Sequence, residues 1–153
     1  MHIKLDDLHG PEIAALLEAH MATMRAASPP ESVHALDLAK LRAPEIAFWT
    51  VWDGGELVGC GALNQLDASH GEIKSMHTAA RHRGRGVAAR LLEHIIAEAK
   101  ARGYKRLSLE TGSMPAFKPA RDLYARYGFV RCPPFANYFE DVHSVCMTTA
   151  LSH

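Results

Sequence analysis

Apolar residues recur along this chain with two different periods, and the switches between them outline its elements. From Pro11 to Met24 the positions Ile13, Leu16, Leu17, Met21 and Met24 fall on one face of a helix, and Pro11 suits its first turn, where the missing N–H would be unpaired anyway. Ile3 and Leu5 ahead of it predict a short first strand. Ser28-Pro29-Pro30 breaks the helix, and a less regular stripe of Val33, Leu36, Leu38 and Leu41 predicts a second, short helix around Glu31 to Leu41. Strands follow. Ile46 to Trp52 and Glu56 to Leu63 flank Asp53-Gly54-Gly55, the signal of an antiparallel hairpin, and a turn over Asn64 to Ser69 leads into a strand from His70 to Thr78.

Helical spacing returns with Leu91, Leu92, Ile95, Ile96 and Ala99 in a helix that begins near Ala88; Lys100 and Arg102 suit its last turn and Gly103 its cap. Leu107 and Leu109 alternate with polar neighbours on a strand ending near Glu110. Phe117, Ala120, Leu123, Tyr124 and Tyr127 mark another helix, with Pro119 near its start and Gly128 at its stop. Phe129 and Val130 open a strand that Cys132-Pro133-Pro134 interrupts, and Val145 and Met147 mark a last one before Leu151. Strands and helices so mixed predict a single α/β domain over residues 1–153, long enough to bury one full core at 48% hydrophobic content.

Charge narrows the partners. Lys and Arg number 17 against 17 Asp and Glu, so no global field recruits nucleic acid or an anionic membrane. Met1 runs straight into Ile3-Lys4-Leu5-Asp6-Asp7 without a leader, and no apolar run approaches the roughly 20 residues of a membrane span, so the expectation is a soluble, cytoplasmic protein. Cys60, Cys132 and Cys146 are odd in number and widely spaced, which predicts reduced structural thiols. Among the ten histidines, His77, His82 and His94 have no acids or thiols at metal-binding spacing, so no metal is expected.

The stretch Arg83-Gly84-Arg85-Gly86-Val87-Ala88-Ala89 carries the most chemical information, because it lies between a strand and a helix start. Its glycines remove side chains where backbone amides must approach a ligand, the helix adds unpaired N–H groups and the positive end of its dipole, and Arg83 and Arg85 offer further contacts to anionic oxygens. A phosphate cradle is the reading. Gly84-x-Gly86-x-x-Ala89 also fits a dinucleotide fingerprint, with Glu110 near the position of a ribose-binding acid, but such domains open with that motif, and here most of the chain precedes it.

A wider pattern accounts for more residues: Arg83-x-x-Gly86-x-Ala88 after a strand, a helix, a strand ending in Glu110, and then Leu123-Tyr124-x-x-x-Gly128-Phe129. From Glu72 to Val130 this resembles the GNAT superfamily of acyl-CoA N-acyltransferases. The resemblance implies a mostly antiparallel central sheet flanked by helices, acetyl-CoA as cosubstrate, and acetyl transfer to a primary amine by direct attack in a ternary complex. It further implies that the backbone of Met76, His77 and Thr78 pairs with the pantetheine arm, that Gly84 through Ala89 hold the pyrophosphate, and that Tyr124 protonates the leaving thiolate. Phe117 departs from the family, many of whose members carry an asparagine there.

For the base there are two carboxylates. Glu72 stands eleven residues before Arg83, the spacing of the catalytic glutamate in histone-acetylating members, and is the first choice; Glu110, at the end of the next strand, is the rival, and a water relay is a third route. A domain that binds acetyl-CoA as a sensor, without turnover, is the alternative from another class, although Glu72, Glu110 and Tyr124 are all present. Trp49, Trp52, Phe135, Tyr138 and Phe139 are aromatic candidates for an acceptor pocket, and Glu140 and Asp141 for attraction of a cationic amine. Pairing through edge strands, frequent in the family, makes a homodimer an expectation.

Overall fold

The computed structural model describes residues 1–30 and 38–152, so Val33 and Leu36, with most of the expected second helix, lie outside the described residues. The described strands are β1 (His2–Leu5), β2 (Ile46–Asp53), β3 (Glu56–Asp67), β4 (His70–Thr78), β5 (Arg106–Gly112), β6 (Val130–Cys132) and β7 (Ser144–Ala150). They form one sheet in the order β1-β2-β3-β4-β5-β7-β6, antiparallel at every pairing except β4 with β5. The expected mixed α/β domain with a mostly antiparallel sheet is what is found, and its topology excludes the parallel, doubly wound sheet of a dinucleotide-binding domain.

Helices cover both faces. Helix α1 (Pro11–Ala27) and the single turn α2 (Leu38–Leu41) bury Ile13, Leu16, Leu17 and Leu41 against Phe48, Cys60 and Ala62. On the other face α3 (Val87–Ala101) and α4 (Lys118–Arg126) bury Leu91, Leu92, Ile95 and Leu123 against Leu63, Ile73, Leu107 and Leu109. Each of these large side chains contributes about 1.5–3 kcal/mol on leaving water. Alternation along β3 sorts the two cores, with Cys60 and Ala62 facing α1 and Leu63 facing α3. Gly59 lets α3 lie close, since a Cβ there would stand 2.7 Å from Cγ1 of Val87.

Two strands run longer than the sequence predicts. The turn expected over Asn64 to Ser69 shrinks to Ala68-Ser69, because Asn64, Gln65 and Asp67 go on pairing with Glu72, Gly71 and His70. Asp67 Oδ1 then closes the turn by accepting the Ser69 N–H at 2.8 Å. β5 likewise continues past Glu110 to Gly112, held by β7 as far as Ser144. The helix stops fall where expected: Gly103 and Gly128, at φ 80° and 92°, take the left-handed conformation that ends α3 and α4.

The feature that makes a site is a split in the sheet. β4 and β5 pair from His70↔Arg106 to Ile73↔Leu109, and no further rung joins them among the described residues. Immediately beyond, β4 bulges: Ala62 pairs with Lys74 and Cys60 with His77, so Gly61 alone stands opposite both Ser75 and Met76. Ser75 takes a left-handed φ of 57° to make the bulge, an uncommon state for a residue with a side chain. Among the described residues, the outer edge of β4 is thereby left without a ladder partner from Ser75 to Thr78.

Candidate active site

The loop after β4 folds as a short 3₁₀ turn, Ala80–His82, followed by Gly84 and Gly86 at φ 78° and 79°. A Cβ at either glycine would meet nothing within 4 Å, so it is the backbone conformation that demands glycine there. Gly86 is the N-cap of α3 and supplies no side-chain hydrogen bond, which leaves the amides of Val87, Ala88 and Ala89 as the helix's open donors. Arg83 stays beside β4, its Nε donating to the Thr78 carbonyl at 3.4 Å. Arg85, expected at the phosphates, turns the other way: its guanidinium donates to His82 Nδ1 at 2.6 Å and to Asp53 Oδ2 at 3.2 Å. His82 passes the tie on through Nε2 to Glu56 at 3.1 Å, and Arg81 pairs with the same carboxylate. Arg81 and Arg85 thus pin the loop to the β2–β3 turn, and the groups the loop leaves open are backbone amides at the start of α3.

Met76, His77 and Thr78 occupy the unpaired edge of β4, where a ligand's amides can continue the sheet. His77 is fixed from below: its Nδ1 meets Nδ1 of His20, on α1, at 3.1 Å, and burial pulls both imidazoles down to about 4, so the pair is neutral at pH 7 and one ring donates to the other. Between the diverging strands lies a cavity of about 110 Å³, walled by His20, Lys74, Glu110, Phe117, Tyr124 and Tyr138 among others. The Phe117 ring, standing where the family pattern has an asparagine, packs against the backbone of Gly112 and offers no amide.

Of the three expected chemical groups, Tyr124 and Glu110 line this cavity and Glu72 stands behind its wall, bonded to Lys74 and Tyr138. Tyr124, on α4, is 6% exposed, and burial pushes its phenol above the usual value, so it keeps its proton at neutral pH. Glu110, on β5, lines the cavity; burial raises its carboxyl to about 7 against the pull of a 2.8 Å hydrogen bond from Ser144 Oγ and of the Lys74 charge. Glu72, on β4, is 3% exposed with both oxygens committed. Its Oε1 accepts Asn64 Nδ2 at 3.2 Å, and its Oε2 accepts Lys74 Nζ at 3.1 Å and the Tyr138 hydroxyl at 2.5 Å.

Of the aromatic candidates, Tyr138 lines the cavity, and Phe135 supports it at a ring distance of 5.1 Å. Trp49 belongs to the core against His94, and Trp52 lies under Lys4 on β1. The three cysteines are free thiols, and burial pushes Cys60 up to about 12 and Cys146 to about 11, which makes them poor nucleophiles. Sequence reasoning missed Lys74 and His20. Lys74 had a signal, since two residues after Glu72 on a strand means the same face; His20 on its helix had none.

Comparison with known proteins agrees with this geometry. A model described as "Acetyltransferase (GNAT) family" matches residues 13–129. The chain belongs to the acetyltransferase (GNAT) family. It is 60% identical over 151 residues to the Bacillus subtilis protein named "Uncharacterized N-acetyltransferase YsnE", covering 99% of this chain and 100% of that one. Identity to the Escherichia coli protein named "Uncharacterized N-acetyltransferase YedL" is 49%, over 97% of this chain and 94% of its relative. Among solved structures, a proposed acyl-CoA N-acyltransferase from Klebsiella pneumoniae superposes with a TM-score of 0.84 at 30% identity, covering 99% of this chain and 97% of that one. This GNAT chain is therefore an acyltransferase by class. No described helix is long and apolar enough to cross a membrane, and no described group of three or more His, Cys, Asp or Glu side chains is arranged to hold a metal.

Proposed function

We propose that the protein binds acetyl-CoA in the split between β4 and β5 and transfers the acetyl group to a primary amine by direct attack, with Glu110 as general base and Tyr124 as proton donor. The observation that carries this reading is the Glu110 carboxylate, which lines the cavity with its pKa raised to about 7 on the strand that diverges from the open edge of β4. A base poised there takes a proton from an ammonium group at neutral pH without being permanently protonated itself. The free amine then attacks the thioester carbon, the C–S bond breaks, and the coenzyme sulfur leaves with the electron pair and takes the Tyr124 proton; the second proton that the nitrogen loses as it becomes the amide returns to the Tyr124 phenolate, and Glu110 releases the first to solvent. Gly84 to Ala89 hold the pyrophosphate through backbone amides, and Met76 to Thr78 hold the pantetheine arm.

Glu72 serves differently. A carboxylate already accepting from Asn64, Lys74 and Tyr138 has little capacity left for a substrate proton, and it works instead by fixing Lys74 and Tyr138 in the wall. The free thiols fit a cytoplasmic setting. The pH profile tests the assignment. Activity needs ionised Glu110, so kcat/KM should rise with pH through an inflection near 7; Glu110→Gln should lower kcat about 100-fold and remove that inflection. An unchanged profile in Glu110→Gln, with the inflection lost in Glu72→Gln, would make Glu72 the base.

A further inference from the structure

The acceptor side of the cavity carries a cation with an unused donor. Lys74 stands one residue past the last β4–β5 rung, Ile73↔Leu109, and Glu110 holds the matching position on β5. Ile73 and Leu109 point into the core beneath α3, so strand alternation sends Lys74 and Glu110 together to the opposite face, side by side where the strands part. The Lys74 side chain is 11% exposed. An ammonium has three N–H donors. One goes to Glu72 Oε2 at 3.1 Å and a second to the Tyr138 hydroxyl at 2.7 Å, while Tyr138 donates to the same carboxylate and closes the ring of contacts. The third remains for the cavity that Lys74 lines.

We propose that Lys74 determines acceptor specificity, selecting an amine that carries an uncharged oxygen acceptor, an amide carbonyl or a hydroxyl, on or next to the neighbouring carbon. The inference rests on the acetyl-transfer reading above and names the substrate class of the same site. With the amine nitrogen at Glu110, an oxygen close to it on the acceptor reaches the free Lys74 N–H. A plain alkylamine leaves that donor unpaired in a partly buried wall, which costs about tenfold or more in binding.

A carboxylate is disfavoured for a different reason. The charge of Lys74 is already balanced by Glu72, and the arriving ammonium balances ionised Glu110. A free amino acid would therefore add a negative charge with no partner in a cavity already lined by Glu110 and backed by Glu72, where uncompensated charge is expensive.

The test measures coenzyme thiol release with glycinamide, ethanolamine, glycine and ethylamine, in the native protein and in Lys74→Met. We expect kcat/KM for glycinamide and ethanolamine to exceed that for ethylamine and glycine about tenfold or more. Which of the two leads distinguishes carbonyl from hydroxyl. In Lys74→Met the advantage over ethylamine should fall to about twofold or less. Glycine as the best acceptor, or an advantage that survives in Lys74→Met, would overturn the proposal. Calorimetric titration with acetyl-CoA accompanies each assay. A native protein that fails to bind it removes the acetyl-transfer reading itself, whereas one that binds it yet acetylates none of the four removes only the acceptor class. Should Lys74→Met not fold, Lys74→Gln keeps a donor without the charge and should retain part of the glycinamide preference; full retention or complete loss there counts against the proposal.

Discussion

The two sides of the split sheet are built from different materials. On the side proposed for the coenzyme the groups offered to a ligand belong to the backbone: the edge from Ser75 to Thr78 that no described strand pairs, the glycine turn, and the open amides of α3. On the acceptor side they are side chains, with Glu72, Lys74 and Tyr138 locked together and Glu110 beside them. Backbone groups are independent of residue identity, so a common coenzyme can be held by many sequences as long as glycine permits the turn. Side-chain walls change with each substitution, and the acceptor-selecting contact proposed above lies there.

Substitutions should therefore separate the sides. The largest effect on stability is expected from Glu72→Gln, which preserves shape but leaves the Lys74 ammonium buried without its carboxylate; about 3 kcal/mol should be lost in denaturant unfolding, while folded protein keeps its acetyl-CoA affinity. An equal loss of coenzyme affinity would show that the walls are not separable. Tyr124→Phe should lower kcat about 10-fold to 100-fold and leave the acetyl-CoA dissociation constant within about twofold, since it removes one proton and little volume. Full activity in that variant would transfer the donor role elsewhere.

The same contrast explains what could be read from the sequence. Gly84, Gly86 and the start of α3 form a local pattern, and so do the helix stops at Gly103 and Gly128, because a left-handed φ is required of the residue itself. The bulge at Ser75 was not legible: nothing in Lys74-Ser75-Met76 marks a residue with a side chain as left-handed, and the bulge exists only because β3 sets the register opposite. Arg85 flanks the loop glycines in the sequence and so suggests a phosphate contact, whereas its partner Asp53 lies 32 residues away and only the fold brings the two together. Tyr138 reaches Glu72 across 66 residues, so the commitment of that carboxylate, which shifts the base assignment to Glu110, depends on a loop whose path only the fold reveals.

The division between a backbone cradle and a side-chain reaction centre is tested most directly by calorimetric titration of acetyl-CoA into native protein, Gly86→Glu and Glu110→Gln. A side chain at φ 79° strains the turn by about 1–2 kcal/mol and intrudes on the cradle, so Gly86→Glu should bind about 100-fold more weakly or not at all while remaining folded, and Glu110→Gln should bind like the native protein. Undiminished binding in Gly86→Glu, or binding lost in Glu110→Gln, would contradict the account.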